Sequence, residues 1–182
     1  DPGEDSFTGK GHGTGVTSIL AGGVAGSPAR TWGVAPAVQV LFARIVNGNG
    51  SFDSTAELAA AQWFADPDGN PATRDQPGVV NGSFAGFEGN HPIDVHHRLV
   101  RTLIAADIVP VFGAGNSGPG VAADGGVGSV GTPSWEPEAL SVGNTDNQDV
   151  VAPDSSRGCS SESQNQVAYR PDVGVLQAVV RA

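Results

Sequence analysis

Gly11-His12-Gly13-Thr14-Gly15-Val16-Thr17-Ser18-Ile19-Leu20-Ala21-Gly22-Gly23 decides how this chain is read. A histidine stands between two glycines, and a run of small and apolar residues follows directly. Thr14 is a capping residue type, and Val16, Ile19 and Leu20 recur at helical spacing. The stretch therefore predicts a helix capped by Thr14, with one apolar face. Ala21, Gly22 and Gly23 allow close packing where it ends. An imidazole at the N-terminal end of such a helix, with glycines beside it, leaves room for a reacting partner. A glycine turn with a chance histidine is the plainer reading of the tripeptide alone, and the longer string is what outweighs it.

A chain of 182 residues suits one domain with a sizeable core. Its 27 glycines and few aromatics fit a tightly packed α/β domain with long loops, and speak against a helical bundle. The net charge is −10 and Lys10 is the one lysine, which argues against nucleic acid or an anionic membrane as partner. No apolar run is long enough to cross a bilayer. Cys159 is alone and reads as a bystander, because no thiolate-stabilising pattern surrounds it. The sequence begins at Asp1 and contains no methionine, so it reads as a processed or excised piece of something longer.

After the first helix, residues 26–30 read as a surface turn. Trp32-Gly33-Val34-Ala35-Pro36 leads into the apolar run Val38–Val46, which predicts a central strand buried on both faces. Asp53-Ser54-Thr55 can cap a second helix from Ala56 to Phe64. The Asp66-Pro67-Asp68-Gly69-Asn70-Pro71 loop reads as solvated; a structural calcium there is left open but not assignable, since the remaining ligands of a helix-loop-helix site are missing. Val79–Gly86 is a short strand running into glycine. Pro92–Ala106 is a helix carrying His96 and His97, with His91 just before it. Adjacent histidines on a helix diverge, so a solvated face is expected there rather than zinc. A third strand, Ile108–Phe112, runs into Gly113-Ala114-Gly115-Asn116, where a carboxamide at a strand end can aim its N–H into a cleft. Ala139–Gly143 is a fourth strand.

Together these segments resemble the subtilisin-like serine proteases, motif by motif and in the right order. Gly11-His12-Gly13-Thr14 resembles the family's histidine motif, and Gly33-Val34-Ala35-Pro36 the element after it. Val79–Gly86 resembles the strand that pairs with substrate backbone. Gly113–Asn116 resembles the element bearing the oxyanion asparagine. Gly131-Thr132-Pro133-Ser134 resembles a loop beside the pocket for the residue preceding the cut bond. Val150–Gly158 and Arg170–Val173 resemble two later family segments. The Asp-Gly-Asn-Pro loop and Thr132-Pro133-Ser134-Trp135 look most like the bacillopeptidase F branch.

The resemblance implies an α/β three-layer sandwich with a mostly parallel sheet, of which residues 1–182 are one partial domain, incomplete at both ends. It implies a serine endopeptidase acting on polypeptide through an Asp-His-Ser triad. His12 and Asn116 would be catalytic, and Ser83, Phe84, Ala85, Gly113, Ala114, Gly115 and Ser134 would contact substrate. No cofactor is required for that chemistry. A propeptide or inhibitor is a conceivable partner, and secretion follows from the family. The family's D-(T/S)-G aspartate and its G-T-S-M-A serine have no counterpart here. Asp1 and Asp5 read as loop residues, and Ser155, Ser156, Ser160, Ser161 and Ser163 as loop serines. The other two triad members are therefore expected outside this sequence, and the chain alone is expected to be inactive. The alternative is a non-catalytic relative that binds extended peptides. A metal hydrolase using His12, His91, His96 and His97 is the weakest option, as no HExxH-like spacing occurs.

Overall fold

The computed structural model describes residues 11–24, 27–46, 52–86, 93–119, 129–158 and 180–181, in two compact units, Asp1–Ala60 and Ala61–Ala182. Asp1, Asp5, the turn at 47–51, His91, Cys159, Ser160, Ser161, Ser163 and the Arg170–Val173 element lie outside the described residues.

In the first unit, α1 spans His12–Ala21. It begins two residues before Thr14, and its cap is Gly11, whose left-handed backbone (φ 70°, ψ 40°) turns the chain into the helix without a side-chain hydrogen bond. Glycine takes that conformation at no steric cost, so the helix starts early and Thr14 falls inside it. The expected apolar face is not buried: Ile19 is 68% exposed and no residue of α1 is fully covered. The far end of α1 is closed by the segment that follows. Val34 N donates to Ile19 O (3.0 Å), Ala35 N to Leu20 O (2.8 Å), and Trp32 Nε1 to Ser18 Oγ (2.8 Å). The two backbone bonds satisfy carbonyls that a helix end otherwise leaves orphaned, and the indole bond ties Trp32 to a helix side chain. Gly22 must lack a side chain, because a Cβ there would collide with Ser18 O and the Trp32 indole.

Two expectations for this unit are corrected. Residues expected as a surface turn form β2 (Ser27–Thr31), antiparallel to β1 (Gly23–Val24). The run 38–45 is not a buried strand: Val38, Val40, Leu41 and Phe42 are all exposed. A two-sided core strand needs hydrogen-bonded neighbours. Among the described residues the pairing of the expected Val38–Val46 strand lies at its end, where Val46 is bridged to Phe52 and Asp53 N donates to Ile45 O at 3.1 Å.

Helix α2 (Ser54–Ala65) is capped as its sequence predicts. Asp53 Oδ1 accepts from Thr55 N at 2.9 Å and Ala56 N at 3.3 Å. The second unit contains a parallel sheet in the order β3 (Val79–Gly82), β4 (Val109–Gly113), β5 (Leu140–Val142). Helix α3 (Ile93–Ala105) connects β3 to β4. Leu99, Val100 and Leu103 of α3, Ile108 before β4 and Phe112 within it, and Ala61 of α2 form the core cluster. A short parallel pair, β6 (Asn144–Thr145) with β7 (Val180–Arg181), lies beyond β5 in sequence.

Pro110 sits buried in the central strand, where a missing N–H is ordinarily costly. Its position explains the tolerance. Val109 N donates towards β3, to Gly78 O at 3.0 Å, so the next residue would donate on the β5 side. Strand β5 begins only opposite Val111, where Leu140 is the partner. No ladder bond is lost.

The exit from α3 is a left-handed cap. Ile108 N bonds Leu103 O (3.0 Å), Asp107 N bonds Ile104 O (3.1 Å), and Asp107 has φ 59°. This is the Schellman pattern, with Leu103 and Ile108 meeting in the core. Glycine is the usual occupant of that left-handed position. Asp107 does pair with Arg74 at 3.3 Å, but both side chains are about four-fifths exposed (82% and 79%), and such pairs contribute little. Asp107→Gly is therefore expected to stabilise the protein by about 0.5 kcal/mol, the relief of strain exceeding the added freedom of the unfolded chain. A urea midpoint that falls would contradict this.

Candidate active site

His12 is the first residue of α1 and is exposed, with Gly11 before it and Gly13 after. It belongs to the first unit. The remaining residues predicted to form the site belong to the second, and there the structure brings three stretches together.

The first is the end of β4. After Gly113, Ala114 N donates to Val142 O at 2.8 Å and so continues the ladder between β4 and β5. Gly115 then turns the chain with φ 108°, a conformation open to glycine. Asn116 follows and is exposed. The second stretch is the continuation of β3. Ser83, Phe84 and Ala85 lie beyond the last strand residue, and Gly86 forms an antiparallel bridge with Thr132 (Gly86 N to Thr132 O 2.8 Å, Thr132 N to Gly86 O 3.2 Å). The third is the Gly131–Ser134 loop, tied to the first by Gly131 N donating to Ala114 O at 2.9 Å.

The contact among these stretches depends on absent side chains. A Cβ on Gly131 would stand 2.6 Å from Gly86 O and 3.0 Å from Ala85 Cβ. One on Gly115 would stand 2.9 Å from Ser156 Oγ and 3.4 Å from Ala85 Cβ. Ala85, Gly115 and Gly131 thus converge, with Asn116 one residue away.

Two residues expected to touch substrate point elsewhere. Ser134 is 3% exposed and its Oγ donates to Ser141 Oγ (2.6 Å), which places it between the loop and β5. Phe84 packs its ring edge-on to Phe112, with centroids 5.8 Å apart at 73°, and so belongs to the core margin. Both sequences carry an apolar or small residue that suits either role, and the strand pattern alone could not say which face it occupied.

Two groups gain a role that the sequence reading did not give them. His96, expected on a solvated helix face, is 1% exposed, and its Nδ1 lies 2.8 Å from Thr132 Oγ1. His97 Nδ1 lies 2.9 Å from Glu136 Oε2. The pair fastens α3 to the Thr132–Glu136 segment. Ser155 and Ser156, expected as loop serines, are 1% and 4% exposed. Ser155 Oγ accepts from Asn144 N at 3.0 Å, and Ser156 is bonded to the turn that carries Asn116. A pair of adjacent serines gives no period from which burial could be read.

The acidic loop also has a definite arrangement. One carboxylate oxygen each of Asp66, Asp68 and Asp75 lies within 4.8 Å of the others. Much of their capacity is used internally: the Asp68 carboxylate accepts from Asn70 N at 2.8 Å and from the Thr73 hydroxyl at 2.9 and 3.0 Å, and Asp75 Oδ2 accepts from Asp68 N at 3.0 Å.

The parallel β3-α3-β4 unit, with β5 added beside β4, defines an α/β domain. Residues 1–174 match the Subtilase family (Peptidase S8), and the chain belongs to that family. It is 31% identical over 164 residues to the subtilisin-like protease PopC of Myxococcus xanthus (strain DK1622), covering 84% of this chain and 31% of that protein. It is 29% identical over 177 residues to subtilisin-like protease 3 of Pseudogymnoascus destructans (strain ATCC MYA-4855 / 20631-21), covering 97% and 38%. Among solved structures, S41 psychrophilic protease superposes with a TM-score of 0.62 at 25% identity, covering 79% of this chain and 43% of that one. The fold is accordingly α/β of the subtilisin type. The chain spans about a third of the length of the two curated relatives it matches.

Proposed function

We propose that the whole protein is a serine endopeptidase, to which this chain contributes His12 as general base and Asn116 as oxyanion donor. The observation that carries the reading is family membership across residues 1–174, with both residues in stretches that resemble the family's motifs. The convergence of Ala85, Gly115 and Gly131 beside Asn116 supports it.

In this reading His12 takes the proton of a serine hydroxyl as its oxygen attacks the peptide carbonyl. The Asn116 carboxamide donates to the oxygen on which negative charge develops. His12 then returns the proton to the leaving amine as the carbon–nitrogen bond breaks, and water releases the acyl group by the same steps in reverse. The chemistry calls for no cofactor. An extended polypeptide would lie along Ser83–Ala85 as an added strand, with Gly113–Gly115 walling the pocket for the residue before the cut bond. The aspartate and serine of the triad are assigned to the rest of the protein. Secretion, and control by a propeptide or protein inhibitor, belong to the same proposal.

Incubation of the whole protein with a fluorophosphonate, followed by intact mass, tests this. One covalent adduct, blocked by prior denaturation, is the expected result. No adduct, with retained binding of an extended peptide, would overturn the endopeptidase reading in favour of a peptide-binding relative.

A further inference from the structure

We propose that Ser156 is a positioning residue for Asn116. This inference rests on Asn116 being the oxyanion donor. Ser156 holds the backbone on both sides of that residue. Its N–H donates to Gly115 O at 2.9 Å, and its Oγ accepts from Ser117 N at 3.1 Å. The two bonds straddle Asn116 and fix the peptide planes before and after it. The side chain of Asn116 is itself exposed, so its direction is set through its own backbone.

The clamp is rigid because its own base is buried. Ser156 is 4% exposed. Next to it, Ser155 N donates to Ala152 O at 3.0 Å, and Ser155 Oγ accepts from Asn144 N at 3.0 Å. The same segment holds the turn again further on, where Gly118 N donates to Asp154 O at 2.9 Å. On the other side, Gly115 is pressed so close to Ser156 that a Cβ would stand 2.9 Å from the Oγ. The Gly115–Gly118 turn is thus fastened to one inflexible strip. Among these contacts, the Ser117 bond is the one that depends on the Ser156 side chain. Ser117 is exposed, so water can satisfy its N–H when the hydroxyl is removed. The fold would survive that loss, and what would change is where Asn116 points.

Oxyanion donors act only in the transition state, and a misplacement of about 1 Å can cost on the order of 100-fold in rate. Ser156→Ala in the whole protein is expected to lower kcat by about 10-fold on a chromogenic peptide substrate, with KM within about twofold. In an Asn116→Ala background the same change is expected to have no further effect on kcat, because the group being aimed is gone. Hydrogen-exchange mass spectrometry of the whole protein is expected to show faster exchange at the Ser117 amide alone. Unchanged kcat in Ser156→Ala alongside a large loss in Asn116→Ala would overturn the proposal, as would kcat losses that simply multiply in the double variant. Unchanged exchange at Ser117 would overturn it without reference to catalysis. If Asn116→Ala leaves kcat intact while Ser117 exchange still rises, the clamp stands as geometry. In that case the oxyanion reading is what has failed, and the proposed role falls with it.

Discussion

Replacing His12 with alanine in the whole protein is expected to abolish peptide hydrolysis almost completely, lowering kcat by about 10⁶-fold, the loss found when the triad histidine of subtilisin is removed. The size of the effect follows from the unit nature of a triad. A serine hydroxyl is a weak nucleophile until a base takes its proton, and no other group substitutes for a positioned imidazole. What remains is the contribution of the oxyanion donor and of substrate binding, so KM should change little. The fold should not be disturbed. Gly11 supplies the turn into α1, His12 is exposed, and alanine is the residue most favourable to a helix. An unchanged thermal midpoint with lost activity would thus separate chemistry from stability. A loss under 10-fold would remove His12 from the mechanism.

Phe112→Ala is expected to be the most destabilising single change in the described core, at about 3–5 kcal/mol. Phe112 is 1% exposed and lies in the central strand, edge-on to Phe84 and packed with Leu99, Val100, Leu103 and Ile108. The site also fits it closely from below: a Cβ on Gly82 would collide with the Phe112 ring. Truncation therefore removes the ring's contacts and leaves a void walled by strands that cannot easily close. Against a total stability of roughly 5–15 kcal/mol this is a large share. At about 2–4 °C per kcal/mol for a domain of this size, the midpoint should fall by about 10 °C. Val109→Ala, three residues earlier on the same strand and 42% exposed, is the control and should cost under about 1 kcal/mol. Equal losses at the two positions would show that the core does not sit where the strand burial places it.

The second unit was largely legible from its sequence. The helical spacing of Leu99 and Leu103 and apolar strands ending in glycine gave α3, β4 and β5 within a residue or two, whereas β3 was expected to run on to Gly86 and ends at Gly82; Asp53 before an apolar run gave α2, which begins in the first unit. These signals are local, and local physics settles them. The first unit was less legible for the opposite reason. The apolar run 38–45 has a strand's composition, but a strand exists only where another chain segment pairs with it, and composition carries no record of partners. The start of α1 was misplaced because a left-handed glycine caps as well as a threonine does.

At the site, Asn116 and the glycines around it stood out as motifs. His12 stood out for the same reason. Ser134 and Phe84 did not declare their direction, since a strand's pattern blurs where it frays into a loop. His96 was misread because polarity was taken as exposure, and Ser156, a loop serine as expected, is buried as well. Each is buried against a hydrogen-bonding group some forty residues distant in sequence: Thr132 for His96, and the Ser117 amide for Ser156. Such pairings are fixed by tertiary structure alone.

Pro110 has a meaning for assembly as well as for tolerance. Register in a parallel pair must be specified as well as formed, since a slipped β5 would present other side chains to the core. β5 begins opposite Val111, and the position just before it on β4 offers no donor. A β5 slipped towards the start of β4 would set one of its carbonyls against Pro110, which has no N–H to donate. The proline thus acts as an end-stop, excluding misaligned pairings during folding while costing nothing in the pairing that forms.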